Sequence, residues 1–441
     1  MRTVVVIGGG AAGMMASIFA AREGSRVILL EKNEKLGKKI YITGKGRCNF
    51  TNDCERDVLM DSICHGSRFL FSAFSDFSPA DVITFFESLG LKCKTERGGR
   101  VFPVSDHASD VTAALSREMK RLGVEVRLET EVKSIDLESD HVTETQVTED
   151  IGDVTDARAQ AIPAVKGVTL TDSSRIDADA VIVATGGLSY PSTGSTGDGL
   201  KFAKSLGLSV TPQRPSLVPM ETQEEDAARM QGLSLRNVSV QIRDGKKVLF
   251  DEFGEMMFTH FGVTGPLILS ASARVGDKLL KKPLKLLIDL KPALEEKKLD
   301  ERIVRDFAAA SNKQLKNVLT GLYPASMVPV MLERSGLSGD LPAREVTKAQ
   351  RRTLVELTKA LPFTLTGLRG FNEAIITSGG VSVREIKPDT MEVKKIRGLY
   401  FAGEVLDLDA LTGGFNLQIA WATGRSAGMA AGQAAASPRK G

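Results

Sequence analysis

Three glycines near the start of the chain, Gly8, Gly10 and Gly13, stand at G-x-G-x-x-G spacing, and Glu31 follows eighteen residues after the last. Residues of those types at that spacing hold a dinucleotide by its pyrophosphate and its adenosine ribose. Gly8 allows the tight turn, Gly10 lets the pyrophosphate approach the backbone, and Gly13 lets helix and strand pack closely. A carboxylate at Glu31 accepts bonds from ribose hydroxyls, and an acid there favours an unphosphorylated ribose, so FAD or NAD over NADP. A second group of reactive types is the loop with Gly44, Lys45, Gly46, Arg47 and Asn49, near Lys38 and Lys39. It reads either as a loop closing over phosphates and flavin or as a solvated basic turn. Within it, Cys48 beside Arg47 is either a thiol of lowered pKa or a packing thiol. His260, in the glycine-flanked and aromatic-rich stretch FTHFGVTGP, suits acid/base or substrate-orienting work; the bland alternative is a histidine bonded to backbone.

The elements that must position these residues can be read around them. An apolar run, Val4 to Ile7, stops at the glycines, and a small-residue helix starts at Ala11. The pyrophosphate then sits at a helix N-terminus, where unpaired N–H groups and the macrodipole favour negative charge. A second apolar strand, Val27 to Leu30, ends in Glu31. Helices are predicted over 79–89, with Pro79 in the first turn, and over 109–122; strands follow at 124–128 and 132–137. Residues 138–164 are polar and read as a loop or long hairpin extension without chemistry. The apolar run ending in Ala184-Thr185-Gly186-Gly187 is a buried parallel strand that stops where the backbone must approach something closely. From Val210 to about Leu290 short alternating stretches predict a small antiparallel β unit. Residues 294–337 read as helical and 361–383 as strand-like. Near the end a strand runs into Gly403-Glu404, then Gly413-Gly414-Phe415-Asn416 opens a helix from Leu417 to about Ala431. Its Ala, Gly and Ser let it lie close to a sheet or ligand, with its N-terminus aimed at an electron-rich flavin edge.

With 441 residues, 42% hydrophobic and 26% charged, the composition is that of a soluble globular protein of two or three domains. The net charge of +3 argues against a nucleic-acid partner. No apolar run is long enough to span a bilayer and none resembles a signal peptide, so a cytoplasmic protein is expected. The four cysteines form no C-x-x-C and do not cluster with the four histidines, so reduced thiols and no metal are expected.

Taken together, the stretches VVVIGGGAAG (4–13), ITGKGRCNFTN (42–52), GRVFP (99–103), ATGGLSYPSTGSTGDG (184–199), FTHFGVTGP (258–266), ITSGGV (376–381) and LYFAGEVLDLDALTGGFNLQIAWATG (399–424) resemble the BaiN-type, aminoacetone-oxidase-like family of bacterial NAD(P)/FAD-dependent oxidoreductases. The match runs nearly end to end; GKGRCN, AGEVLD and GGFNLQ are its more specific parts. The resemblance implies an α/β fold. A Rossmann-type two-dinucleotide-binding FAD domain (1–195 and 376–441) carries an inserted β-barrel-like, substrate-side unit (196–292 and 345–375) and a small helical unit (293–344). It implies FAD, held by Gly8, Gly10, Ala12, Gly13, Glu31 and Lys32 and, beyond them, by Lys39, Thr43, Gly46, Arg47, Cys48 and Asn49. Val132 through its backbone, Ala184, Thr185, Gly186, Gly403, Glu404, Gly414, Asn416 and Leu417 complete the set. Family members differ in substrate, so membership does not choose a reaction.

The leading expectation is a flavoenzyme that moves a hydride between flavin N5 and a small organic substrate, as an enone-type reductase or an amine or aminoketone oxidase. A single dinucleotide fingerprint leaves NAD(P)H only as a transient donor on the substrate side. The alternatives are a flavin-dependent RNA-modifying or RNA-binding protein and a flavin-binding relay without turnover. The small charge and the lack of an aromatic-basic stripe count against RNA.

Overall fold

The computed structural model describes residues 1–138 and 162–433, so most of the polar 138–164 stretch lies outside the described residues. The chain forms two compact units, one of residues 1–213 with 377–441 and one of residues 214–376.

The first unit is built on a five-stranded parallel sheet in the order Leu399–Phe401, Ala180–Val183, Thr3–Ile7, Arg26–Leu30, Glu125–Arg127. Val4, Val5, Val6, Val181, Ile182 and Val183 are fully buried, as strands covered on both faces require. The central strand pairs Val5 with Ile28 on one side and Val181 on the other, so the glycine turn after Ile7 and Ala184 after Val183 emerge at the same edge.

Two helices lie against this sheet with their backbones nearly touching. A Cβ on Gly424 would come within 2.5 Å of the Ala12 carbonyl oxygen, and one on Gly428 within 2.3 Å of that of Ala16. The same four-residue step sets Gly432 against Ala20. The helices Ala11–Arg22 and Phe415–Gln433 therefore run parallel, and the small-residue composition of the last one is explained by its contact with the first. Gly424 being level with Ala12, the position level with Ala11 is Thr423. The last helix begins eight residues before it, so its N-terminus projects about 12 Å beyond that of the first helix.

Most predicted elements form within a residue or two: helices Pro79–Ser88 and Ala108–Arg121, strands Glu125–Arg127 and Val132–Leu137. Ser78 and Asp81 close a capping box at the start of the first of these helices.

The second unit is a closed six-stranded antiparallel barrel in the order 220–222, 262–264, 247–259, 234–244, 284–289, 361–368. Val240, Ile242, Leu286, Ile288 and Phe363 alternate inward and fill it. The segment expected to be helical over 294–337 is broken into Glu296–Ala309, Leu315–Val318 and Val328–Ser335. The breaks fall at Ser311-Asn312 and at Tyr323-Pro324, polar and proline positions that interrupt a helix.

Candidate functional site

The site begins at the first turn. Gly8 has φ +104°, and a Cβ on Gly13 would lie 1.8 Å from the Gly8 carbonyl oxygen, so glycine is required at both. Gly10 precedes the helix with no side-chain cap and no acid in the first turn, and a Cβ there would meet nothing within 4 Å. The first intrahelical bond is Met14 N to Gly10 O, which leaves the N–H groups of Ala11, Ala12 and Gly13 without helical acceptors. Glu31 is buried at the end of its strand; one oxygen accepts from Gly9 N (2.7 Å) and the other from Asn33 N (2.8 Å). Lys32 turns to Asp198 and Thr196. Burial pushes the Asp198 carboxyl up, but hydrogen bonds from Lys32 and Lys201 outweigh it and hold it below the usual range.

The loop after Lys39 is tightly wound. Gly44, Lys45, Gly46 and Cys48 all have left-handed backbone, at φ +57°, +58°, +86° and +58°. Two of these are not glycine, a local strain that clusters at functional sites. Thr43 donates its hydroxyl to Ile40 O and accepts Cys48 N through its carbonyl. Cys48 is fully buried, and burial pushes its thiol up to about 12, so it is a packing thiol at neutral pH. Arg47 bonds Glu96 and Asp106 and stacks on Phe102 at 4.1 Å, so its side chain is committed to the fold. The Asn49 Oδ1 is buried and has no hydrogen-bond partner. Next to it, the carbonyl of Phe50 accepts the indole N–H of Trp421 (2.7 Å), so the last helix fixes the height of this loop.

Chain returns complete the cradle. Ala184 N bonds Ile7 O, and the Thr185 hydroxyl accepts Gly199 N (3.1 Å). Gly186 and Gly403 have left-handed backbone, and Gly403 N is held by the Thr423 hydroxyl. Lys39 bonds Glu404 (2.6 Å) and Ser189; the other Glu404 oxygen accepts from Ser189 Oγ (2.8 Å) and Thr377 N (2.9 Å). Gly414, at φ +100°, lies so close to Thr51 that a Cβ would come within 2.3 Å of its carbonyl oxygen. Gln418 N bonds Gly414 O, leaving the N–H groups of Phe415, Asn416 and Leu417 without helical acceptors. The Asn416 amide closes a double bond with Ala410, accepting from its N (3.0 Å) and donating to its O (2.9 Å). Val132 is buried opposite Leu170.

His260 belongs to the second unit. It is exposed on the turn between strands 247–259 and 262–264, with Phe261 edge-on at 4.9 Å, and makes no hydrogen bond or ion pair among the described residues. Sequence reasoning missed Ser189 and Thr377, which hold Glu404, and the pair His65–Asp409, in which the ring Nδ1 bonds a fully buried carboxylate. Ser189, Thr377 and Asp409 lie in stretches already singled out; His65 does not, and its pairing with Asp409 leaves no local signal.

The residues present fit FAD. Two uncapped helix N-termini face the same way, one suited to a pyrophosphate and one, about 12 Å further on, to an electron-rich ring edge, a gap that an extended ribityl chain spans. The unpartnered Asn49 oxygen adds an acceptor beside the glycine loop.

Residues 2–430 match the family model described as "HI0933-like protein Rossmann domain". The chain belongs to the HI0933-like family. It is an FAD-dependent oxidoreductase with a Rossmann-type domain and an antiparallel barrel. This HI0933-like chain is 33% identical, over 98% of its length and 100% of the relative's, to a 3-dehydro-bile acid delta(4,6)-reductase of Clostridium scindens. It is 30% identical, over 95% of both chains, to a ribosomal RNA dihydrouridine synthase of Escherichia coli. In fold it is similar to the 3-ketosteroid delta1-dehydrogenase of Sterolibacterium denitrificans, with a TM-score of 0.51 at 13% identity over 99% of this chain and 100% of that one.

Proposed function

We propose that this chain is an FAD-dependent reductase of carbon–carbon double bonds conjugated to a carbonyl, acting on a small organic enone, with NAD(P)H as transient donor. The observation that carries the flavin part is the pair of parallel, uncapped helix N-termini staggered by about 12 Å. In this reading the N–H groups of Ala11, Ala12 and Gly13 hold the pyrophosphate, and Glu31 and Lys32 hold the adenosine end. Ala184, Thr185, Gly186 and Val132 line the sugar side. Lys39, Glu404 and the backbone of Thr43 and 46–49 face the ribityl and ring, and Gly414, Asn416 and Leu417 present N–H groups to the ring edge. Bound there, FAD supplies two-electron hydride chemistry that side chains lack. The enone part is supported by the bile-acid relative, whose name states the reduction of double bonds in a 3-oxo compound. The test mixes photoreduced protein with cyclohex-2-enone or a 4-en-3-one steroid without oxygen; return of oxidised flavin and a saturated ketone are expected.

A second reading is favoured by the Escherichia coli relative, whose name states that it acts on ribosomal RNA. The ring of uridine also carries a double bond conjugated to a carbonyl, so the same chemistry would serve with a larger substrate. Dihydrouridine formed in unmodified ribosomal RNA, with the enones left untouched, would select it.

A further inference from the structure

We propose that His65, oriented by Asp409, is the group that delivers the substrate proton; this rests on the double-bond reduction put forward above. The strands Ile63–His65 and Asp409–Ala410 are antiparallel, with His65 opposite Asp409. The ring Nδ1 bonds Asp409 Oδ1, while Oδ2 of the same carboxylate is buried with no hydrogen-bond partner. A carboxylate with 1% of its side chain exposed and half its acceptor capacity unused is costly unless a positive charge faces it. Protonated, the His65 ring supplies that charge. With Nδ1 committed to the carboxylate, the tautomer is fixed and Nε2 is turned away from Asp409. The ring keeps 40% exposure, so it can be reached by a ligand.

The dyad is also tied to the seat expected for the flavin ring. Ala410, next to Asp409, is bonded on both sides by the Asn416 amide in the first turn of the last helix. Gly413 O accepts Asn52 Nδ2 (2.9 Å), which ties the same loop to the strand following the glycine-rich turn. Among the described residues no other histidine bonds a carboxylate.

In the step, the substrate π bond breaks. A C–H bond forms at the carbon β to the carbonyl with the hydride equivalent of the reduced cofactor, which loses two electrons. A second C–H bond forms at the α carbon with the proton from His65 Nε2, and solvent reprotonates the neutral ring. His65 is thus a catalytic acid, and Asp409 a positioning residue. The cofactor is reduced again by a nicotinamide-class donor.

The test uses FAD-loaded wild type, His65→Gln and Asp409→Asn. In His65→Gln, FAD content and reduction by NADH or NADPH are expected within about threefold of wild type, while reoxidation by cyclohex-2-enone slows by about a hundredfold. Asp409→Asn is expected to slow the same half-reaction by about tenfold or more. A readout without turnover is the binding of 4-chlorophenol, an enolate mimic, to the oxidised protein. Its phenolate charge-transfer band is expected to weaken by about tenfold in affinity in His65→Gln. Reoxidation within about threefold of wild type, or unchanged phenolate binding, would overturn the assignment. If His65→Gln does not fold, His65→Ala with added imidazole replaces it: rescue supports the assignment and its absence overturns it. If wild type reduces no enone, the reductase reading fails, and the phenolate titration still judges His65.

Discussion

The two ends of the cradle are made of different material. The proposed phosphate end, Gly8 to Gly13, is backbone and small residues: N–H groups at a helix start, a turn that only glycine permits, and one buried carboxylate from Glu31. The proposed flavin end is side chains and ion pairs from Lys39, Asn49, Ser189, Thr377 and Glu404, gathered from across the chain. A backbone site tolerates no change of shape, whereas a side-chain site tolerates changes of shape and none of chemistry. In the proposed reading the first end grips a group common to all dinucleotides, and the second acts on the bound ring.

That contrast can be broken in order of size. Gly13→Val places side-chain atoms where a Cβ alone would be 1.8 Å from Gly8 O. It is expected to cost more than about 3 kcal/mol and to leave the purified protein without FAD, read from the flavin spectrum and a thermal melt. At the other end, Glu404→Gln keeps the shape and leaves Lys39 without its charged partner. The fold is expected to persist while the dissociation constant for FAD rises about tenfold, roughly 1.4 kcal/mol, by fluorescence titration.

A smaller effect belongs to the helix Ala108–Arg121, tied through Glu118 to Arg22 at the end of the helix that follows the glycine turn. Glu118 is buried between Arg121 and Arg22, and their hydrogen bonds, that of Arg121 foremost, outweigh burial and hold its carboxyl down to about 2. A carboxyl lowered from 4.5 adds stability that is fully present above pH 4.5 and lost as pH falls toward 2. Both arginines are partly exposed, so Glu118→Gln is expected to cost about 1 kcal/mol at neutral pH, a difference in urea midpoints that vanishes toward the acid end. The smallest effect is expected outside the cradle. His260 belongs to the second unit, is exposed, and makes no ion pair among the described residues. His260→Ala should raise KM about threefold and leave kcat nearly unchanged; a collapse of kcat would move the acid to the second unit.

The same contrast explains what could be read from the sequence. The strand–glycine turn–helix unit was legible because its parts are local: glycine spacing, the strand before it, the acid closing the next strand. The parallel strands and an antiparallel β unit followed from apolar runs and alternation; the barrel came only with the family resemblance. The flavin end was legible only where glycine marked a close approach, at Gly403 and Gly414. The loop around Arg47 read either as one closing over phosphates and flavin or as a solvated basic turn; Glu96 and Asp106, about fifty and sixty residues on and invisible to local spacing, take the Arg47 side chain. The tie between His65 and Asp409 spans 344 residues and leaves no spacing to find. The composition of the last helix was legible, but its partner was not: Ala12 and Ala16 bear nothing that distinguishes a helix contact from a ligand contact.

We propose a flavin laid along two staggered helix starts and used to saturate a conjugated double bond. The most direct measurement is stopped-flow mixing of anaerobic, photoreduced protein with a 4-en-3-one steroid, following the oxidised flavin band. Rapid, saturable return of that band with formation of the saturated ketone is the predicted result. Flavin that stays reduced in the presence of the enone, while oxygen reoxidises it, would contradict the account.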